Sequence, residues 1–369
     1  MLGRAVPVAS IRPQQGETLT FPGVDAPAPA AMLRPSEERN MPRSIPRRAA
    51  AGGALMAVAA PAVLAQAQEP GGQAQPLRAI IPQPPGGATD VLARLLSEPL
   101  GRALERPVVV ENRPGANGIV SINALKQSRP DGSALLLGGV SIFSFNPNLY
   151  PNLPYDPWRD FAWIAPVADT PFVVVAGRRT GIAGMAHFLE RARARPDALT
   201  YGSAGIGNST HLAMEMIAER AGVRLTHVPF PGSAPAMSSL AAGDTDCMVN
   251  PLGNTLPLIA AGEAVPLATL GEERAPALPE VPTLREAGLG DVTMPGWYAF
   301  VGPAGVPAPV VDRLNAAVRS VVDSPAAARR LREAVLEPLS GTAADLQRRA
   351  RSDSEAMAAF IRRRGIKVE

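Results

Sequence analysis

The sequence predicts an α/β protein of two domains with parallel-rich sheets flanked by helices. Three observations predict it. Short β-branched or apolar runs alternate with amphipathic helical patterns from residue 77 onward, the order that builds parallel sheets covered by helices. Two of the strand–helix junctions are glycine-rich turns, at 84–90 and 202–211. The roughly 300 residues that remain once an N-terminal export signal is set aside suffice for two domains of ordinary size.

The export signal comes first in the chain. Met41 leads through Arg43, Arg47 and Arg48 into an uncharged stretch, Ala49–Leu64, and then Ala65-Gln66-Ala67. A basic start, a short apolar middle and small residues before the cut are the three parts of a secretory signal, placing it at 41–67 with cleavage after Ala67, or alternatively after Ala65. The apolar stretch is too short and too rich in Ala and Gly for a membrane span, so the mature protein is not membrane-inserted. Arg47-Arg48 leaves the twin-arginine and general secretory routes both open. Residues 1–40 show no sustained apolar periodicity. They read as an over-extended start preceding the true initiator Met41, with a disordered extension as the alternative.

Strand candidates follow at Leu77–Ile81, Val108–Glu111, Ala134–Leu137, Phe172–Ala176, Leu199–Tyr201, Leu225–Val228, Asp246–Val249, Val265–Leu270 and Trp297–Val301. Helical patterns lie between them at Asp90–Leu104, Ile119–Gln127, Met185–Arg195, Ser209–Ala221, Ala234–Ala242, Thr255–Ala260 and Pro309–Val322, with a last one at Thr342–Arg363. In the first helix Val91, Leu92, Leu95, Leu96 and Leu100 trace one apolar face, Thr89 or Asp90 is placed to cap it, and Pro99 predicts a kink or an early stop. Asn146–Pro157, dense in Pro and Asn, reads as a long loop.

Charge and cysteine content narrow the function. Residues 1–67 carry seven Arg against Glu17, Asp25, Glu37 and Glu38, a net of +3; the whole chain is also +3, so the mature part is formally neutral. Nothing here calls for nucleic acid. The lone Cys247 excludes an internal disulfide, and with only three dispersed His there is no ligand set for a metal and no cofactor motif. Gly202-Ser203-Ala204-Gly205-Ile206-Gly207 spaces its glycines differently from a dinucleotide fingerprint.

The two turns carry the chemistry. A strand, a bare backbone turn and a helix N-terminus make an anion site, because unpaired N–H groups and the helix dipole point the same way. Neither Pro84–Asp90 nor Gly202–His211 contains Lys or Arg. That favours a small carboxylate, held by backbone and hydroxyl donors, over a polyphosphate. Ser209-Thr210-His211 also admits a competing reading, a hydrolase using Ser209 and His211, but adjacent residues do not generally present that geometry and no G-x-S-x-G elbow precedes a helix.

The motifs taken together resemble one family. Pro82–Asp90, "VVVENRPGANG" (Val108–Gly118), "PDGSALLLG" (Pro130–Gly138), "NLPYDPWRDF" (Asn152–Phe161), "YGSAGIGNSTHLAME" (Tyr201–Glu215), "HVPFPGSAPAM" (His227–Met237) and "LPEVPTLREAGL" (Leu278–Leu289) follow the order of blocks in the Bug-type solute receptors of tripartite tricarboxylate transporters. The resemblance implies a type II, Venus-flytrap periplasmic binding protein, monomeric and not an enzyme. Domain 1 would comprise 76–175 plus 297–369 and domain 2 would comprise 176–296. The ligand would sit between them, one carboxylate gripped by both turns and partly through water. Carried over residue by residue, the first turn supplies Gly86, Gly87, Ala88, Thr89 and Asp90. The second supplies Ser203, Ala204, Gly207, Asn208, Ser209, Thr210 and His211. The chain departs from the pattern at Gln83, where an aromatic or apolar residue is usual, and at Ala88, where Gly is usual. Phe143, Ser144 and Phe145 fall where small polar residues or His are common, and Asn250 where an Asp is common. Phe143, Ser144, Phe145 and Asn250 would then form the distal pocket, making it more apolar and favouring an aromatic or branched monocarboxylate as much as a dicarboxylate. The implied partner is a membrane permease or a sensor kinase.

Overall fold

The structure is a computed structural model that describes residues 75–368; the readings for 1–40 and for the signal at 41–67 lie outside the described residues. The first lobe opens with β1 (Leu77–Ile81), α1 (Ala88–Ala103), β2 (Val108–Asn112), α2 (Ile119–Lys126), β3 (Ala134–Gly139), the short α3 (Asn146–Leu149) and β4 (Phe161–Asp169). The chain then crosses to a second lobe of β5 (Phe172–Gly177), α4 (Met185–Ala194), β6 (Thr200–Ser203), α5 (Ser209–Ala221), β7 (Thr226–Pro229), α6 (Ser233–Ala242), β8 (Cys247–Pro251), α7 (Leu252–Ala260) and β9 (Ala264–Thr269). It returns with β10 (Trp297–Pro303), α8 (Ala308–Val322), α9 (Pro325–Glu333), β11 (Glu337–Pro338) and α10 (Ala343–Arg364).

Each lobe is built on one sheet, in the orders β11-β4-β10-β3-β1-β2 and β7-β6-β8-β5-β9. In the first, β1 runs parallel to β2 and β3, with Ala79 between Val110 and Leu135, while β10 is antiparallel to β3 and β4. In the second, β6 runs parallel to β7 and β8, and β5 is antiparallel to β8 and β9. The antiparallel insert in each sheet is the strand laid down as the chain arrives from the other lobe. Those hydrogen bonds put β5 in the second sheet, so the first crossing is at Thr170-Pro171 rather than after residue 175. The two crossings lie side by side: Thr170 N–H donates to the Gly296 carbonyl at 3.0 Å, and a Cβ on Gly296 would sit 2.3 Å from the Thr170 oxygen.

The core explains why the apolar runs fold as they do. Strands covered on both faces are continuous apolar runs, as in the wholly buried Ala134–Gly138. Leu92, Leu96 and Leu100 of α1 recur every fourth residue and pack on Leu77, Ile81, Leu135 and Phe300, each worth about 1.5–3 kcal/mol when fully buried.

Several readings are corrected. The cap of α1 is Gly87, with no side-chain cap bond, because Thr89 and Asp90 already lie inside the helix. Pro99 does not stop α1, which runs on to Ala103: buried Leu96 and Leu100 flank it, and packing outweighs the lost hydrogen bond. β4, β11 and α9 were not anticipated, and the loop at Asn146–Pro157 opens with the turn of α3.

Candidate functional site

A cavity of about 290 Å³ lies between the lobes, beyond the C-terminal ends of β1, β6 and β8. Four helix N-termini contribute to its wall: Thr89 of α1, Asn117 and Gly118 before α2, Asn208–Thr210 at α5, and Gly232-Ser233 at α6. Ser141, where the chain turns helical after β3, adds a hydroxyl. No Asp, Glu, Lys, Arg or His side chain is among the described residues of the wall. The rest is largely apolar, with Ile142, Phe172, Phe230 and Trp297. Converging dipole ends without charged side chains make a positive but neutral-walled site, suited to a single anionic group on an otherwise uncharged molecule.

The first turn is braced from behind. Asp90, buried, accepts from the Gly86 N–H (3.0 Å), Arg94 (3.0 Å) and Asn112 (2.9 Å). Burial works against its charge, but these bonds prevail and hold the carboxyl below its ordinary value. Gly86, with φ +81°, makes the tight turn. Ala88 tolerates its Cβ because it begins the helix. Of the five first-turn residues, Thr89 alone reaches the cavity wall, and its N–H and Oγ1 both donate to Oε1 of Gln83, at 3.2 Å each.

The second turn is not bare backbone. The Ala204 N–H donates to Thr210 Oγ1 (2.9 Å), the Gly205 N–H to Ser203 Oγ (3.2 Å) and the Gly207 N–H to Nδ1 of His211 (3.0 Å). Asn208 caps α5, its oxygen accepting from the Thr210 N–H. The Ser209 N–H crosses to Ser141 Oγ of the first lobe at 3.0 Å, leaving the Ser141 hydroxyl proton free for another acceptor. Ala204, Asn208, Ser209 and Thr210 line the cavity; Ser203, Gly207 and His211 support them from behind. His211 stacks on His227, with ring centroids 3.9 Å apart, and the Nε2 of His227 meets Ser203 Oγ at 2.7 Å. Burial and the neighbouring ring depress His211 to about 3, and burial depresses His227 to about 4, so both are neutral. His211 Nδ1 is bound to the turn and the Ser209 hydroxyl donates to Asn208, so these two residues do not form a nucleophile–base pair.

The distal residues stand behind the wall. Phe143 is fully buried and stacked on Trp297 at 5.9 Å, Ser144 donates to the Ala350 carbonyl, and Asn250 donates to Thr255. Their neighbours Ser141, Ile142 and Pro251 reach the cavity instead. Sequence reasoning also passed over Ser233 and Asn117, although both stand beside glycines at helix starts.

Residues 92–366 match the Tripartite tricarboxylate transporter family receptor. The chain belongs to this family. The UPF0065 protein in the tcbD-tcbE intergenic region of Pseudomonas sp. strain P51 is 33% identical over 315 residues, covering 85% of this chain and 93% of that protein. The solved structure of R. palustris Rpa4515 with adipate superposes with a TM-score of 0.77 at 30% identity, covering 79% of this chain and 97% of that one. The periplasmic binding protein BugD superposes with a TM-score of 0.76, also at 30% identity, over 80% and 99%. This receptor therefore has the two-lobed binding-protein fold, and among the described residues no helix is long and apolar enough to cross a membrane.

Proposed function

We propose that this chain is an exported receptor that captures a small organic carboxylate between its lobes and delivers it to the membrane permease of a tripartite tricarboxylate-type transporter. One observation carries the reading: four helix N-termini meet at one cavity whose wall, among the described residues, holds no charged side chain. The adipate held by the related Rpa4515 supports a carboxylate as ligand. The N-terminus of α5 at Asn208, Ser209 and Thr210, whose own donors are bonded within the turn and to Ser141, supplies the positive end of the helix dipole, and the hydroxyls of Ser141 and Ser233 bond the carboxylate. Gly86, Gly87, Ala88 and Asp90 build the first turn, and Ser203, Gly207 and His211 build the second. The role is binding without chemistry, in the periplasm, after removal of the signal at 41–67.

A thermal-shift screen against carboxylates, amino acids and amides tests the reading. Stabilisation by carboxylates, with the acid recovered unchanged, is expected. Stabilisation by cationic ligands alone, or turnover of the acid, refutes it.

A further inference from the structure

We propose that the end of α10 and the residues after it, Arg363–Val368, form a strap that holds the two lobes together and sets how tightly every ligand is bound. The proposal rests on the receptor reading above and concerns the regulation of that same site.

Two bodies meet at the strap. The first half of α10 is fixed to the first lobe: the Ser144 hydroxyl donates to the Ala350 carbonyl at 2.9 Å, Asn148 Nδ2 to the Ser354 hydroxyl at 3.0 Å and Trp297 Nε1 to Asp353 at 2.6 Å, while Arg349 forks onto Asp169. α5 belongs to the second lobe, where Tyr201 of β6 donates to Glu215 at 2.6 Å. Glu215 and Glu219 share one face of α5, being four residues apart. The end of α10 meets both. Arg363 forks onto Glu219 with bonds of 2.9 and 3.3 Å, and Arg364 pairs with Glu215. Every other ion pair among the described residues lies within one lobe. Charge therefore joins the lobes at one place, on the helix whose N-terminus faces the cavity.

The strap also reaches the ligand. Gly365 ends α10 in the left-handed region (φ +63°), and the Ile366 N–H returns to the Ile361 carbonyl. The Val368 N–H then donates to the Leu149 carbonyl at 3.1 Å, which sets Val368 in the cavity wall. Leu149 in turn fills a notch in the second turn: Gly207 has φ +75°, and a Cβ there would lie 2.3 Å from Leu149 Cδ1. Only Gly365–Lys367 separate a lobe-to-lobe ion pair from a side chain that faces the ligand.

An ion pair between lobes is made only while they are together, so it favours the closed form whatever the ligand. In a receptor that is mostly open when empty, apparent affinity scales with the closed fraction. Loss of the strap then weakens all ligands by one common factor, whereas a change in the wall affects different ligands unequally. The Glu215 and Glu219 side chains are 15% and 33% exposed, so solvent screening leaves the two pairs together worth about tenfold in affinity.

Calorimetric titration with the two acids that give the largest wild-type thermal shifts tests this. Arg363→Gln combined with Arg364→Gln is expected to weaken both acids about tenfold and equally. Arg363→Glu sets like charges against each other and should weaken both as well; adding Glu219→Arg restores the pair in reverse and should bring both back to within about threefold of wild type. Arg363 is 58% exposed, so this exchange lies at the surface and keeps the fold. Affinities within about twofold of wild type in the double Gln variant, losses that differ more than about threefold between the acids, or no recovery on charge exchange overturn the strap and leave the receptor reading standing. A wild-type protein that no carboxylate stabilises sinks both.

Discussion

Replacing Ser209 with Asp separates binding from folding at a single atom group. Ser209 is the first residue of α5, is 8% exposed and lies on the cavity wall. An acid in the first turn of a helix is favourable by about 0.3–1 kcal/mol, so the fold is expected to hold or gain slightly. The bond from the Ser209 N–H to Ser141 uses backbone and survives the change. The ligand fares differently. A compact space of about 290 Å³ would be about 8 Å across, which sets the scale of the separation between a carboxylate in it and the new charge. At an effective dielectric near 20, two like charges repel by about 2 kcal/mol at 8 Å and about 4 kcal/mol at 4 Å. Affinity should therefore fall by about 30-fold to 1000-fold, since 1.4 kcal/mol is tenfold. Calorimetric titration with the acid giving the largest wild-type thermal shift, beside thermal unfolding of the variant alone, reads both quantities. A variant that melts like wild type and binds that acid within about threefold of it would refute an anion seat at α5.

Three further outcomes follow from the same contacts. His211 and His227 stay neutral when folded down to about 3 and about 4, whereas unfolded they protonate near the ordinary histidine value. The unfolded chain then binds more protons, so stability should rise with pH from about 4 to 6.5 and level off above. Urea unfolding across that range checks it, and His211→Asn with His227→Gln should flatten the slope; an unchanged slope would assign it elsewhere. Arg364→Ala deprives Glu215, whose side chain is 15% exposed, of its ion pair and leaves it the Tyr201 hydroxyl at 2.6 Å. Because Arg364 is itself 35% exposed, solvent screening limits the expected loss to about 1–2 kcal/mol, recovered in part by Glu215→Gln in urea titrations. Gly296→Val drives a side chain against the Thr170 carbonyl at the crossing and should lower stability by about 1–3 kcal/mol, while Gly184→Ala, with nothing within 4 Å of its Cβ, should not change the melting temperature.

What could be read from the sequence was what is decided locally. β1 and α5 match their expected limits because an apolar run, a cap and a C-terminal glycine fix each without help from distant chain. β4 escaped notice because Pro166 interrupts it; in the sheet that proline lies where the register with Tyr298 and Ala299 shifts, a place where a missing N–H is tolerated. α9 buries only Ala327 and Leu331, too thin a stripe to give a pattern. At the site, Thr89, Asn208, Ser209 and Thr210 were legible through the glycine turns. Asn250 was expected at the wall, but successive strand residues face opposite ways and Pro251 takes that side. Phe143 turns inward to Trp297 and leaves the wall to Ser141 and Ile142. Ser141 lies 68 residues from Ser209, and only the apposition of two lobes makes them neighbours.

That apposition bears on why a receptor would hold an anion without a cation. A buried carboxylate paired with Arg is bound through strong, geometrically specific bonds that one lobe alone can retain. Here the polar residues of the wall are divided: Thr89, Asn117 and Ser141 belong to the first lobe, Asn208, Ser209, Thr210 and Ser233 to the second, and the Ser209 N–H to Ser141 bond spans the gap. A ligand seated by both halves favours the closed form by the difference between its bonds there and the bonds either lobe supplies alone. On the proposed reading, parting the lobes removes most of the hold at once, so a permease that favours the open form obtains release without having to break an ion pair.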